Sequence, residues 1–287
     1  MKLSVLMSVY DRESPAYLRE CLDSLVMQTL PADEVVVVED GPLGEQLKTT
    51  IAQYRKILPI VSLPLPTHVG LGAALRVGVN RCLGEYVARM DSDDICVPNR
   101  FQRQIGFLEN NRTVDVVGGA IAEFDHDFSA PCSIRHLPAG GQVLRRFAKS
   151  RTPMNHMTVV FRKASVVNAG SYESCEGFED YHLWARMLTR GYSLLNLKDV
   201  LVYARCGNGM QERRGGFVYL KRDIRFQLFL HKLGLVSASE CFGNILVRSS
   251  VRLAPRAVRS FCYRLFLRSG VPRQRPNRSC ERAHVAR

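Results

Sequence analysis

At 287 residues the chain has room for one large α/β domain with an appendage, or for two small domains, and its 46% hydrophobic content excludes wholesale disorder. Its net charge of +13 is uneven: residues 1–200 hold 22 Lys and Arg against 23 Asp and Glu, whereas residues 201–287 hold 18 against 4. A neutral body with a basic tail points to an anionic surface, either phospholipid or nucleic acid.

The first 120 residues alternate between two patterns. Apolar, β-branched runs at Leu3–Val9, Glu34–Glu39, Pro59–Leu63, Tyr86–Met90 and Val114–Val117 have strand length. Between them, Tyr17–Met27, Gly72–Cys82 and Pro98–Glu109 carry helical spacing, the last with Pro98 at its expected first turn. Apolar strands alternating with helices predict a doubly wound, mostly parallel sheet, in which ligands sit at the carboxyl ends of strands. Further on, Met157–Arg162 and Ser193–Leu197 read as strands and Asp180–Thr189 as an amphipathic helix. The expected organisation is a domain over residues 1–205, its nucleotide-binding half about 1–120 and its acceptor half 121–205. An Arg-rich loop and amphipathic helices follow over 206–270, and a Pro/Arg/Ser-rich disordered tail over 271–287.

Strand ends deliver acids. One strand runs into Glu39-Asp40-Gly41-Pro42, another into Asp91-Ser92-Asp93-Asp94. Three carboxylates within four residues repel one another unless a cation neutralises them, and a hard divalent ion bridging a diphosphate would do so. The alternative is a solvated acidic loop with Asp93 or Asp94 capping the next helix. Gly70-Leu71-Gly72-Ala73-Ala74-Leu75 imitates half of a dinucleotide fingerprint but does not follow the first strand, so its glycines are read as easing backbone approach to a nucleotide or the turn into a helix. Glu179 and Asp180 open a helix with the chain's one tryptophan, Trp184, a turn away. An apolar wall there would raise a carboxylate toward the range of a useful base, although acids at that end also serve the helix dipole. Arg213 and Arg214 offer planar guanidinium groups to phosphate oxygens, and Asn155-His156 precedes a strand.

Taken together, SVLMSVYDRE (4–13), EVVVVEDGP (34–42), GLGAALRVGVNRCLGEYVARMDSDD (70–94) and GFEDYHLW (177–184) resemble the inverting glycosyltransferases of family two, over residues 3–205. PMNHMTVVFRK (153–163) and ERR (212–214) look like the bacterial subgroup that builds exopolysaccharide and O-antigen repeat units. The resemblance implies a GT-A fold and a nucleotide-diphosphate sugar donor, with uridine diphosphate glucose or galactose expected. It implies base and ribose contacts from Val9, Tyr10 and Asp40, and a Mn or Mg site at Asp91 and Asp93 with Asp94 close by. Arg213 and Arg214 would serve the donor, Asp180 would be the general base with Glu179 the next candidate, and Asn155, His156 and Trp184 would lie on the acceptor side. Here EDGP replaces the usual DDGS, His68 stands where Asn is common, and Gln211-Glu212-Arg213-Arg214-Gly215 lacks the Trp of processive enzymes, so a single-addition transferase is expected.

The tail fits a lipid-linked saccharide acceptor. Arg248, Arg252, Arg256 and Arg259 fall on one helical face opposite an apolar one, as on a helix lying on an anionic bilayer; the alternative is a helix packed on the main domain. Nine scattered cysteines without a C-x-x-C pair favour reduced thiols, and the N-terminus reads as a strand rather than a signal peptide. With no run of ~18 apolar residues, the expectation is a cytoplasmic protein peripheral to the inner face of the membrane. A sugar nucleotidyltransferase would need a Gly-rich basic loop near the start, and an idle nucleotide-sugar-binding protein would have lost its acids. Nucleic-acid binding is not expected, since the tail lacks interleaved aromatics.

Overall fold

The structure, a computed structural model, describes residues 2–206, 217–253 and 269–270. Strands β1 (Leu3–Val9), β2 (Glu34–Glu39), β3 (Ile60–Pro64) and β4 (Tyr86–Arg89) lie side by side in the order β3-β2-β1-β4, every neighbouring pair parallel. Helices α1 (Pro15–Val26), α2 (Glu45–Tyr54) and α3 (Leu71–Arg81) make the crossovers. Because both sheet faces are covered, β1 and β2 read as continuous apolar runs: Val5, Leu6, Met7 and Val9, like Val35 to Val38, are fully buried. Each such side chain contributes about 1.5–3 kcal/mol through burial. Pro15 sits at the start of α1, where its missing N–H costs nothing.

Strand order reverses between β1 and β4: the chain winds outward from β1 to β3, then returns to β1's other side. A crevice therefore opens at the carboxyl ends of β1 and β4, which is where an open α/β sheet takes its ligand.

The second half departs from parallel pairing. After β5 (Ile95–Cys96) and α4 (Arg100–Asn110) come β6 (Val116–Phe124), β7 (Ser133–Arg135), α5 (Gly141–Phe147), a 3₁₀ turn (His156–Thr158), β8 (Val160–Arg162), α6 (Lys163–Asn168), α7 (Glu179–Thr189) and β9 (Leu194–Arg205). Strand β8 runs antiparallel between β4 and β6, and β6 pairs with β9 in parallel and with β7 antiparallel. The sheet is thus parallel where the chain begins and mixed beyond it. Strands expected at 114–117 and 193–197 run on to Phe124 and Arg205, and the one expected from Met157 begins at Val160 after the 3₁₀ turn. Helix α4 starts at Arg100, with Asn99 rather than Asp93 or Asp94 at its cap position.

The chain ends in an antiparallel helix pair, α8 (Phe217–Lys232) and α9 (Ala238–Leu253), followed by β10 (Ser269–Gly270) against β7. Phe226 of α8 stacks on Phe178 at 4.6 Å, and Phe229 stacks on His182 at 4.1 Å, so the pair is anchored over the first turn of α7. Arg248 corrects the expected basic face: it donates to buried Asp223 at 2.7 Å and to the Ser150 carbonyl at 2.5 Å, tying the helices to the domain. The side chains of Arg252, Arg256 and Arg259, like Arg213 and Arg214, lie outside the described residues.

Candidate active site

At the carboxyl end of β1, Val9 is fully buried, so any ligand contact there belongs to Tyr10 beyond it, the Val9 carbonyl being taken by the Asp40 N–H at 2.7 Å. Asp40 is only 3% exposed. Its carboxylate accepts from the backbone N–H groups of Val69 (2.7 Å) and Gly70 (3.1 Å) and meets His68 Nδ1 at 2.9 Å. Asp40 thereby folds the loop that sets the exposed His68 ring 6.0 Å from that of Tyr10. His68, a departure from the usual residue in the sequence, joins the rim.

The nearby glycines have packing roles. Gly70 turns the chain into α3 at φ +86, and a Cβ on Gly72 would lie 2.6 Å from the Glu173 carbonyl and 2.8 Å from Glu179 Cγ. In the motif that resembled half of a dinucleotide fingerprint, Gly72 therefore serves the close approach of α3 to the segment that carries α7, and Gly70 the turn into the helix.

The acidic loop leaves β4 and is held at several points. Arg89, the last residue of β4 and 2% exposed, donates both terminal nitrogens to Asp91, one at 2.6 Å. Cys21 Sγ reaches the Asp91 carbonyl at 3.3 Å, and Ser92 Oγ donates to Glu13 at 2.5 Å. From the end of β9, the Arg205 N–H donates to Asp94 at 2.8 Å and Arg205 Nε to the Asp93 carbonyl at 3.2 Å, while its guanidinium pairs with Glu20 and lies 3.9 Å over the Tyr17 ring. Glu13 and Arg205 were not picked out from the sequence. Glu13 lies within the matched SVYDRE stretch, whereas Arg205 only becomes meaningful once β9 is seen to end beside the loop.

Electrostatics separate the three acids. Burial, with Asp91 and Glu13 alongside, pushes the Asp93 carboxyl up to about 7. Burial, with Asp91 and Asp93 alongside, holds Asp94 well above the carboxylate range. Among the described residues no three His, Cys, Asp or Glu side chains converge on one point, so Asp91, Asp93 and Asp94 do not form a ready-made cage. The donor set nevertheless suits magnesium or manganese, which take few protein carboxylates and fill their shell with phosphate and water. A raised carboxyl with no neighbouring cation beyond the arginines is what such an ion would reverse.

The other acids sit at the start of α7. Asp180 is partly buried and accepts from Thr152 Oγ1 at 3.0 Å. Burial raises the Glu179 carboxyl, and Arg89 opposes the shift. The two acidic groups meet around Tyr172, a fully buried phenol pushed upward first by burial; Arg89 opposes that shift and both Asp180 and Asp91 add to it. Tyr172 bonds His156 Nε2 at 2.9 Å, and burial with nearby Arg89 keeps His156 well below its ordinary range. The expected acceptor contacts change accordingly. Trp184 is fully buried, edge-on to His156 at 6.2 Å, and presents no solvent-exposed surface to a substrate. Asn155, 2% exposed, donates to the Gly119 carbonyl at 2.8 Å and cross-links β6 to the 3₁₀ turn.

The chain matches known proteins in sequence and in fold. Residues 4–174 match the family described as glycosyl transferase family 2. The amylovoran biosynthesis glycosyltransferase AmsE of Erwinia amylovora is 42% identical over 91% of this chain and 97% of its own. The Escherichia coli UDP-Gal:alpha-D-GlcNAc-diphosphoundecaprenol beta-1,3-galactosyltransferase is 34% identical over 93% of this chain and 97% of its own. Among solved structures, S. aureus TarS 1–349 in complex with UDP-GlcNAc superposes with a TM-score of 0.68 at 22% identity, covering 87% of this chain and 73% of that one. The Pyrobaculum calidifontis mannosyltransferase PcManGT, in complex with GDP-Man and Mn2+, gives 0.60 at 16% identity over 91% and 78%. Those two likenesses concern the fold alone. By sequence and by architecture, the chain belongs to glycosyl transferase family 2 and has the GT-A fold.

Proposed function

We propose that the protein is a metal-dependent, inverting hexosyltransferase that moves a sugar from a uridine diphosphate donor to a lipid-linked saccharide in surface-polysaccharide assembly. The observation that supports this reading is that the buried phenol of Tyr172 has both Asp91 of the acidic loop and Asp180 of the helix start as charged neighbours. The relatives that act in amylovoran biosynthesis and on a diphosphoundecaprenol-linked acceptor support the substrate class.

In this reading Tyr10, with His68 and the loop Asp40 holds, frames the base and ribose. Asp93 and Asp91 would hold the divalent ion, which when bound neutralises charge growing on the diphosphate. Arg213 and Arg214 serve the diphosphate. Asp180, oriented by Thr152, takes the acceptor hydroxyl's proton as that oxygen bonds to the anomeric carbon from the face opposite the leaving group. The bond from the anomeric carbon to the diphosphate breaks, and its electron pair leaves with the nucleotide. Donors with glucose or galactose, scored for nucleotide release with membrane lipid extract as acceptor, test the reading; a product retaining the donor's α configuration would refute inversion.

The location is the inner face of the membrane, approached through the tail. Among the described residues no helix is long and apolar enough to cross a membrane. Val218, Lys221, Arg225, Leu228 and Lys232 are all exposed on α8 and fall within about 80° of one another around the helix. This stripe of apolar and basic side chains without an acid suits anionic headgroups. The triple change Lys221→Gln, Arg225→Gln, Lys232→Gln should reduce pelleting with anionic vesicles at low salt and leave donor binding intact. Unchanged pelleting would remove α8 from the membrane contact.

A further inference from the structure

Buried arginines in this fold satisfy themselves in two ways. Arg100 and Arg186, with the half-buried Arg162, donate to backbone carbonyls: Arg100 to Arg89, Arg162 to Val114 and Leu108, Arg186 to Ala169 and Ser171. They are cross-links. Arg89 is as deeply buried, yet among the described residues its guanidinium donates to no carbonyl: both terminal nitrogens go to Asp91, and Nε has no partner. Its own backbone is immobile, with the N–H bonded to the Val159 carbonyl at 2.9 Å and the carbonyl accepting from Arg100 at 2.8 Å. A planar fork on a rigid strand, spent wholly on one carboxylate that is itself 31% exposed, fixes that carboxylate's plane.

We propose that Arg89 is a positioning residue for the donor site: it presents Asp91 to the incoming nucleotide-sugar in a preset orientation before any metal arrives. The inference rests on the reading that the acidic loop receives the donor. Arg89 touches no reacting atom in this arrangement and acts through Asp91. Without it, Asp91 would lose the fork that fixes its orientation.

A double-mutant cycle on the full chain tests this, with uridine diphosphate and Mn2+ titrated calorimetrically into wild type, Arg89→Met, Asp91→Asn and the double variant. The expected result is a loss of affinity of about tenfold or more in each single variant, with the double no weaker than the weaker single. Additive losses, or wild-type affinity in Arg89→Met, would overturn the proposal. Near-ultraviolet circular dichroism checks each fold. Should Arg89→Met fail to fold, the cycle is run with Arg89→Lys, which keeps the charge and loses the fork. That variant should raise the donor KM with the acceptor KM unchanged; equal changes in both indicate a merely structural arginine and reject the proposal. A wild-type protein that binds no nucleotide with Mn2+ would instead remove the donor reading, and the proposal with it.

Discussion

The two acidic groups of the crevice are built in opposite ways. In the loop after β4, Asp91 is clamped by Arg89, and the buried Asp94 is tied to the Arg205 N–H. At the start of α7, Asp180 is partly buried and accepts from Thr152 Oγ1 at 3.0 Å. Groups that must hold a charge in place are best fixed by several partners in a desolvated setting. A group that must accept a proton during the reaction needs reach to that proton. In the proposed reading the loop binds and the helix start carries the chemistry.

Removing the loop's binding capacity should have the largest effect. Asp93→Ala, or an excess of chelator with wild type, is expected to bring turnover below detection, and the variant should show no Mn2+-dependent heat on titration with uridine diphosphate. Full turnover in chelator would end the metal assignment. Next, Asp180→Asn should lower kcat by about 10²–10⁴ with donor affinity near wild type. Donor affinity falling in step with kcat would erase the division between the two groups, and retained turnover would pass the base role to Glu179.

A smaller effect comes from pH. With Asp93 pushed up to about 7, a proton competes with the cation. Metal affinity should rise about tenfold per unit as pH approaches 7 and level off above it. Stability of the metal-free protein runs the other way. A carboxyl raised on folding, from about 4 in the unfolded chain, stabilises below that value and loses its contribution as pH rises through about 7. Mn2+ should therefore raise Tm more at pH 8 than at pH 5.5; equal increments at both would refute the shift. Smallest of all, Thr152→Val should reduce kcat by about tenfold, the worth of one hydrogen bond to a charged acceptor. If kcat stays unchanged, Asp180 is oriented by something other than Thr152.

Much of the parallel half was legible in the chain alone. Strands β1 and β2 are buried on both faces and read as apolar runs, and the two acid-bearing turns at Asp40 and Asp91 fall directly after β2 and β4. Resemblance carried Asp180 and the metal pair as far as proposals. The mixed half resisted. Helix α2 and the short elements β5, β7, α5 and α6 were not foreseen, since two to ten residues with mixed burial carry little periodicity. Only the tertiary structure decided what single side chains do. Arg89, the fourth residue of an otherwise apolar strand, looked incidental until its fork was seen on Asp91. Trp184 and Asn155, which the sequence offers to an acceptor, are drawn into the core and onto the Gly119 carbonyl. Arg248 looked like a lipid contact and is an ion-pair partner of Asp223. Sequence determined the order of elements and the positions of the acids, because periodicity and strand ends are local properties. Which charge meets which depends on residues dozens of positions apart arriving at one crevice, and that is set by packing.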